Sequence, residues 1–129
     1  MSEVRRRIAV VDDEDSVRKA IQRLLRSAGM DVQAFASGAD FLAAMLSSPP
    51  ECVVLDLHMP GVNGFDVQAR LAESAIRLPM VVITGHDTPE ARKRAMAGGA
   101  DLYLIKPVDD RVLLDAIAAA VLKHGGASG

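Results

Sequence analysis

The sequence predicts a doubly wound α/β domain of the flavodoxin-like kind, with a five-stranded parallel sheet in the order 2-1-3-4-5 and five helices. Three observations carry this. Five short apolar runs alternate with segments of helical spacing along the chain. The runs at 8–11 (IAVV), 52–55 (CVVL) and 80–83 (MVVI) are apolar on both faces, as strands covered on two sides tend to be. The intervening segments are long enough for the crossovers that parallel pairing requires, and right-handed crossovers leave few topologies.

Each element has its own local reason. The run at 32–35 is more polar and suits an edge strand, and 102–105 makes the fifth strand. Val17, Ile21, Leu24, Leu25 and Ala28 fall at helical spacing, and Gly29 supplies a stop. Ser37 can cap a second helix carrying Phe41, Leu42 and Met45, which ends before Pro49 and Pro50. Phe65, Ala69 and Ala72 follow Gly64 on a third helix. Thr88, Pro89 and Glu90 form a fourth start, with a cap, a proline at N1 and an acid in the first turn. Leu113, Leu114, Ile117 and Val121 mark the last helix. Residues 1–124 therefore read as one domain, and 125–129 as a flexible tail or the start of a linker.

Composition narrows the function. The 129 residues suffice for one hydrophobic core. A net charge of −2 gives no electrostatic reason to expect nucleic acid or an anionic membrane as a direct ligand. Three Phe, one Tyr and no Trp make base-stacking platforms an unpromising reading. Cys52 is the single cysteine, which excludes an intrachain disulfide and reads as a small buried hydrophobe in a reducing compartment. The apolar run near the N-terminus is too short for a signal peptide or membrane span, so a cytoplasmic location is expected.

In such a sheet, ligands bind outside the carboxyl ends of the strands. The first strand ends in Asp12 and Asp13, followed by Glu14 and Asp15. The third ends in Asp56, the fourth in Thr84 before Gly85, and the fifth in Lys106 before Pro107. Glu14, Asp15 and Ser16 read as helix N-cap residues. Carboxylates brought together raise one another's pKa unless cations balance them, and Lys106 supplies one charge. Oxygen ligands without a His or Cys cluster favour Mg²⁺, with Mn²⁺ as the alternative ion. A carboxylate can attack phosphorus to form an acyl phosphate. Lys106 and a metal ion would neutralise the phosphoryl oxygens, Thr84 could donate to one of them, and Gly85 leaves room.

The segments VVDDED, VVLDLHMPGVNG, VVITGHD and GGADLYLIKP, in this order and spacing, resemble the receiver domain of the two-component response regulator family over essentially the whole chain. The resemblance implies that Asp56 is the phosphoacceptor. It implies that Asp13 binds Mg²⁺ directly, that Asp12 assists through water, and that the His58 carbonyl completes the ligands. It gives Thr84 and Lys106 the phosphoryl group, Tyr103 the role of switch aromatic, and the bond between Lys106 and Pro107 a cis geometry. The donor would be a phosphohistidine on a histidine kinase or phosphotransfer protein. The usual homodimer or output face would be helix 4, strand 5 and helix 5, with no nucleic acid or membrane contact by this domain. Where many members read Ala-Asp-Asp-Tyr, this chain has Ala100, Asp101, Leu102 and Tyr103, and Leu102 is expected to face the core. His58 and His86, each two residues beyond a site residue, border the path of the attacking water and could tune dephosphorylation, making it pH-dependent near neutrality.

Two rival readings come from other classes. An aspartyl-phosphate phosphohydrolase of the haloacid dehalogenase type needs an Asp-x-Asp motif, but here the second position is His58. A module that never takes phosphate would be expected to lack Asp56, Lys106 or the acidic pair, and all are intact. A zinc site from His58, His86 and His124 has no common spacing. The three successive cations Arg92, Lys93 and Arg94 read as a solvated helix face, with an acidic partner surface as the alternative.

Overall fold

The computed structural model describes residues 5–125. The elements in chain order are β1 (Arg7–Val11), α1 (Asp15–Ser27), β2 (Asp31–Phe35), α2 (Gly38–Met45), β3 (Cys52–Asp56), α3 (Gly64–Glu73), β4 (Met80–Thr84), α4 (Pro89–Ala97), β5 (Leu102–Ile105) and α5 (Asp110–Gly125). The strands form one parallel sheet in the order β2-β1-β3-β4-β5, as the alternation of segments predicts. Residues 126–129, most of the expected tail, lie outside the described residues.

Strand alternation divides the core in two. Ile8, Val10, Cys52, Val54, Val81 and Ile83 pack with Ile21 and Leu25 of α1 and Leu113 and Ile117 of α5. Ala9, Val11, Val53, Leu55 and Val82 face the other way, against Phe41 and Met45 of α2 and Val67 and Leu71 of α3. Each fully buried aliphatic side chain contributes about 1.5–3 kcal/mol of transfer free energy, so the sheet's position between the layers is strongly specified. Leu102 packs against the α1–α5 layer, as expected.

Helix ends follow the sequence signals. Ser37 and Thr88 accept from the backbone N–H groups of Asp40 and Ala91. Gly29 follows the α1 C-cap at φ 87°, a left-handed conformation that suits glycine. Asn63 makes a reciprocal capping box with Asp66 at the start of α3. One expectation for this helix is corrected. The buried stripe of α3 is Gly64, Val67, Gln68 and Leu71, while Ala69 and Ala72 are exposed. Small residues carry little burial energy, so Val67 and Leu71 set the rotation of the helix.

α4 is held differently. Ala95 is its single buried residue. Gln68 of α3, itself buried, donates from Nε2 to the Ala95 carbonyl at 2.8 Å and lies 3.4 Å from Met80 Sδ. The Arg94 guanidinium sits 4.1 Å from the Phe65 ring centroid, and that of Arg92 sits 5.3 Å from the Tyr103 ring. The basic run is a solvated face, as all three cations are exposed, and two of them also lie over aromatic rings.

Gly64 couples α3 to the sheet's rim. Its N–H donates to the Leu57 carbonyl at 3.0 Å. A Cβ there would lie 2.5 Å from the Asp56 carbonyl oxygen and 2.8 Å from Leu57 Cα. Gly64→Ala is expected to destabilise the domain by about 1–3 kcal/mol in urea unfolding. Gly85→Ala, whose Cβ would meet nothing nearer than Lys106 Cδ at 3.9 Å, should stay within about 0.5 kcal/mol of wild type. Equal losses for the two would contradict the packing described.

Candidate functional site

The sheet delivers the site residues through its backbone. Asp56 and Thr84 are the last residues of β3 and β4, in register with Ile83 and Ile105 of the neighbouring strands. The Asp12 N–H extends the ladder to the Phe35 carbonyl at 3.1 Å. Lys106 follows β5 and donates its N–H to the Thr84 carbonyl at 2.8 Å. Four strand ends thus reach one rim, and their positions are set by main-chain hydrogen bonds.

Lys106 is the electrostatic centre. Its Nζ lies 2.9 Å from Glu14 Oε1, 3.0 Å from Asp12 Oδ2 and 3.6 Å from Asp56 Oδ1. Burial works against its charge, but Glu14 and Asp12 outweigh that and hold its pKa above the ordinary lysine value. The sequence pattern assigns Glu14 to the cap of α1. It occupies the N-cap position of α1, but its side chain caps nothing and reaches Lys106 instead. Acidic-run position alone could not reveal this, because Lys106 is 92 residues away in sequence.

Asp12, Asp13 and Asp56 bring oxygen atoms within 4.8 Å of one another, the spacing of a shared metal ion. Asp12 is fully buried. Its Oδ1 accepts from the Glu14 N–H at 2.9 Å. Its Oδ2 forms the ion pair with Lys106 and has no other polar partner. A buried carboxylate oxygen balanced only by one lysine, beside two more carboxylates, is the donor set a hard divalent cation fits. The cation-free cluster is unfavourable for Asp56. Burial, then the Asp12 charge, push its pKa up to about 6, although Lys106 and the His58 backbone amide pull the other way.

Thr84, fully buried, closes the opposite side. Its Oγ1 accepts from the His86 N–H at 3.0 Å and lies 3.2 Å from His58 Nδ1. The two exposed imidazoles of His58 and His86 lean together with ring centroids 4.8 Å apart. His124 is elsewhere: it contacts Asp101, before β5, at 2.9 Å. No three-histidine zinc site is assembled. Tyr103 is buried beneath Arg92, and its hydroxyl has no hydrogen-bond partner. Burial, then the neighbouring Asp87, raise its pKa. The peptide bond between Lys106 and Pro107 is cis.

A five-stranded 2-1-3-4-5 sheet with an acidic cluster and a lysine at its carboxyl rim defines the receiver class of signalling domains. Comparison with known proteins agrees. The family model of the response regulator receiver domain matches residues 8–118, and the chain belongs to that family. It is similar to nodulation protein W of Bradyrhizobium diazoefficiens (42% identical; 88% of this chain, 50% of that protein). It is also similar to transcriptional regulatory protein TdiR of Thauera aromatica (40% identical, with the same two coverages). The chain therefore spans about half the length of these relatives. Among solved structures, a response regulator receiver protein from Burkholderia phymatum superimposes with TM-score 0.77 at 42% identity, over 91% of this chain and 95% of the other. Vibrio cholerae chemotaxis protein CheY4 does so with TM-score 0.83 at 27% identity, over 91% and 99%. Among the described residues, no helix is long and apolar enough to cross a membrane.

Two outcomes follow for the site. An acid whose folded pKa exceeds its unfolded value holds its proton more tightly when folded, so ionising Asp56 costs stability as pH rises. That cost is absent below pH 3.8 and complete above about 6. In metal-free buffer, Asp56→Asn should be about 1–2 kcal/mol more stable than wild type at pH 7.5, an amount reduced by the nearby solvent. The gap should close near pH 4 and narrow when a divalent cation is added; a gap independent of both would contradict the charge balance. Cys52 is fully buried, and burial pushes its thiol pKa up to about 12. It should react with a thiol reagent only at the rate of unfolding, which quenched mass spectrometry can measure.

Proposed function

We propose that this chain is a phosphorylation-activated switch in which Asp56 takes a phosphoryl group from the phosphohistidine of a histidine kinase or phosphotransfer protein. The observation that carries the reading is the buried Asp56 carboxylate, 3.6 Å from Lys106 Nζ and grouped with Asp12 and Asp13 in one metal-competent cluster. Asp12, Asp13, Asp56 and the His58 carbonyl would hold Mg²⁺, or Mn²⁺ in its place. When bound, such an ion offsets the negative charge of the cluster and of the phosphoryl oxygens.

An Asp56 carboxylate oxygen forms the new O–P bond as the donor's N–P bond breaks, and that electron pair returns to the imidazole nitrogen. Lys106 keeps the nucleophile ionised beforehand and binds a phosphoryl oxygen afterwards. Thr84 donates its hydroxyl to a second oxygen, and movement of the strand 4 to helix 4 region follows, with Tyr103 as its aromatic partner. An open groove of about 510 Å³ beside Lys106, lined by Val17, Ile21, Leu24, Pro107 and Val108, supports the approach of a partner's helix to this rim. Exposed Met96, Ile105 and Val112 support a homodimer or output contact through α4, β5 and α5.

The domain promotes its own phosphorylation and a slow hydrolysis rather than substrate turnover, with residues 1–124 as the working unit in the cytoplasm. His58 and His86 border the phosphoryl site and tune the hydrolysis. Nothing favours the haloacid dehalogenase alternative, because the acidic pair comes from β1 and His58 stands where the second acid would be.

The test is incubation with acetyl phosphate and Mg²⁺, followed by intact mass. Wild type should gain one phosphate, and Asp56→Asn none. An adduct that persists in the variant, or its absence in wild type, would falsify the assignment. Decay of the wild-type adduct should change several-fold in His58→Ala or His86→Ala, read by the same masses over time; unchanged decay in both removes the histidines from the mechanism.

A further inference from the structure

The Thr84 hydroxyl is already engaged. It accepts one hydrogen bond, from the His86 N–H at 3.0 Å, and the one other polar atom recorded within hydrogen-bond reach is His58 Nδ1 at 3.2 Å. Thr84 is fully buried, so its O–H proton needs an acceptor. If Nδ1 carried the imidazole proton, that ring would donate to Oγ1 and leave the threonine proton orphaned. The satisfied arrangement has Nδ1 bare, the proton on Nε2, and the Thr84 O–H donating to His58.

That direction has a consequence for the switch, and the inference rests on the phosphoryl-transfer reading above. A threonine hydroxyl has one proton. While it points at His58, it cannot point at a phosphoryl group on Asp56. We propose that His58 is a positioning residue that holds the Thr84 hydroxyl in its resting orientation and competes with the aspartyl phosphate for its single proton. Engagement of Thr84 then requires that the hydrogen bond to His58 be broken first. Two residues from the phosphoacceptor, the imidazole sets how strongly phosphorylation must pull to engage the switch. Because the His86 N–H holds the same oxygen from the loop after β4, the release is felt directly at the start of the segment leading to α4.

The effect is measurable with beryllium fluoride and Mg²⁺, a phosphoryl mimic, followed by Tyr103 fluorescence and by amide NMR of Thr84, Gly85 and His86. One neutral hydrogen bond sets the scale, so His58→Ala should bind the mimic about three- to tenfold more tightly than wild type. His58→Asn, whose Oδ1 stands near the place of Nδ1 and can accept, should return to within about twofold of wild type on the same scale. In a Thr84→Ala background, His58→Ala should have no such effect. Independently of any ligand, imidazole ¹⁵N shifts of the resting protein should show His58 bare at Nδ1, and Thr84→Val should shift its tautomer balance. Unchanged or weaker binding in His58→Ala, the same gain without Thr84, or a proton on Nδ1 each overturns the proposal. A wild type that forms the Asp56 adduct while failing these tests loses only this restraint. One that forms no adduct and binds no mimic loses the phosphoryl reading and this inference together.

Discussion

The constraint on which the rest of the molecule depends is the balance of charge around the Lys106 ammonium. One cation sits within 3.6 Å of carboxylate oxygens from Glu14, Asp12 and Asp56, and Asp13 stands in the same acidic group. Four carboxylates against one lysine leave the rim short of positive charge, and burial first, then the Asp12 charge, raise the Asp56 pKa despite the lysine beside it. A divalent cation held among Asp12, Asp13 and Asp56 would relieve that excess of negative charge.

The rest of the architecture keeps that rim stiff while leaving one neighbour loosely attached. Asp56 stands at the end of a fully buried strand and Thr84 at the end of another. The helices α1 and α5 bring large aliphatic anchors to one face, and α2 and α3 do so on the other. α4 buries only Ala95 and relies on one amide hydrogen bond from Gln68 and two cation–aromatic contacts. Contacts of this kind are each worth about 0.5–2 kcal/mol and depend on direction. Such a helix can shift without unpacking the core, and it follows directly after the loop that holds Thr84.

The elements and the chief site residues were legible because their causes are local. Alternation marks strands, Ser37 and Thr88 mark caps, and strand ends mark the rim. The failures have a common cause as well. Glu14 sat among acids and looked like a cap, since its partner Lys106 lies at the far end of the sequence. The buried face of α3 does not follow Ala69 and Ala72, which are apolar in composition yet carry too little area to decide a helix rotation. The contact between His58 and Thr84 joins the loop after β3 to the end of β4, and nothing in either segment foretells that a ring nitrogen would meet that hydroxyl.

The order of strands and helices, the crossovers and the residues that end on one rim follow from the amino-acid pattern alone, because backbone pairing and hydrophobic period are properties of short segments. The folded arrangement adds which charges face one another, how three carboxylates share one lysine, and that the Thr84 hydroxyl meets the His58 ring. Those outcomes depend on angstrom-scale distances between segments far apart in the chain. Electrostatic and hydrogen-bond energies change steeply over such distances, whereas the pattern of apolar residues does not record them.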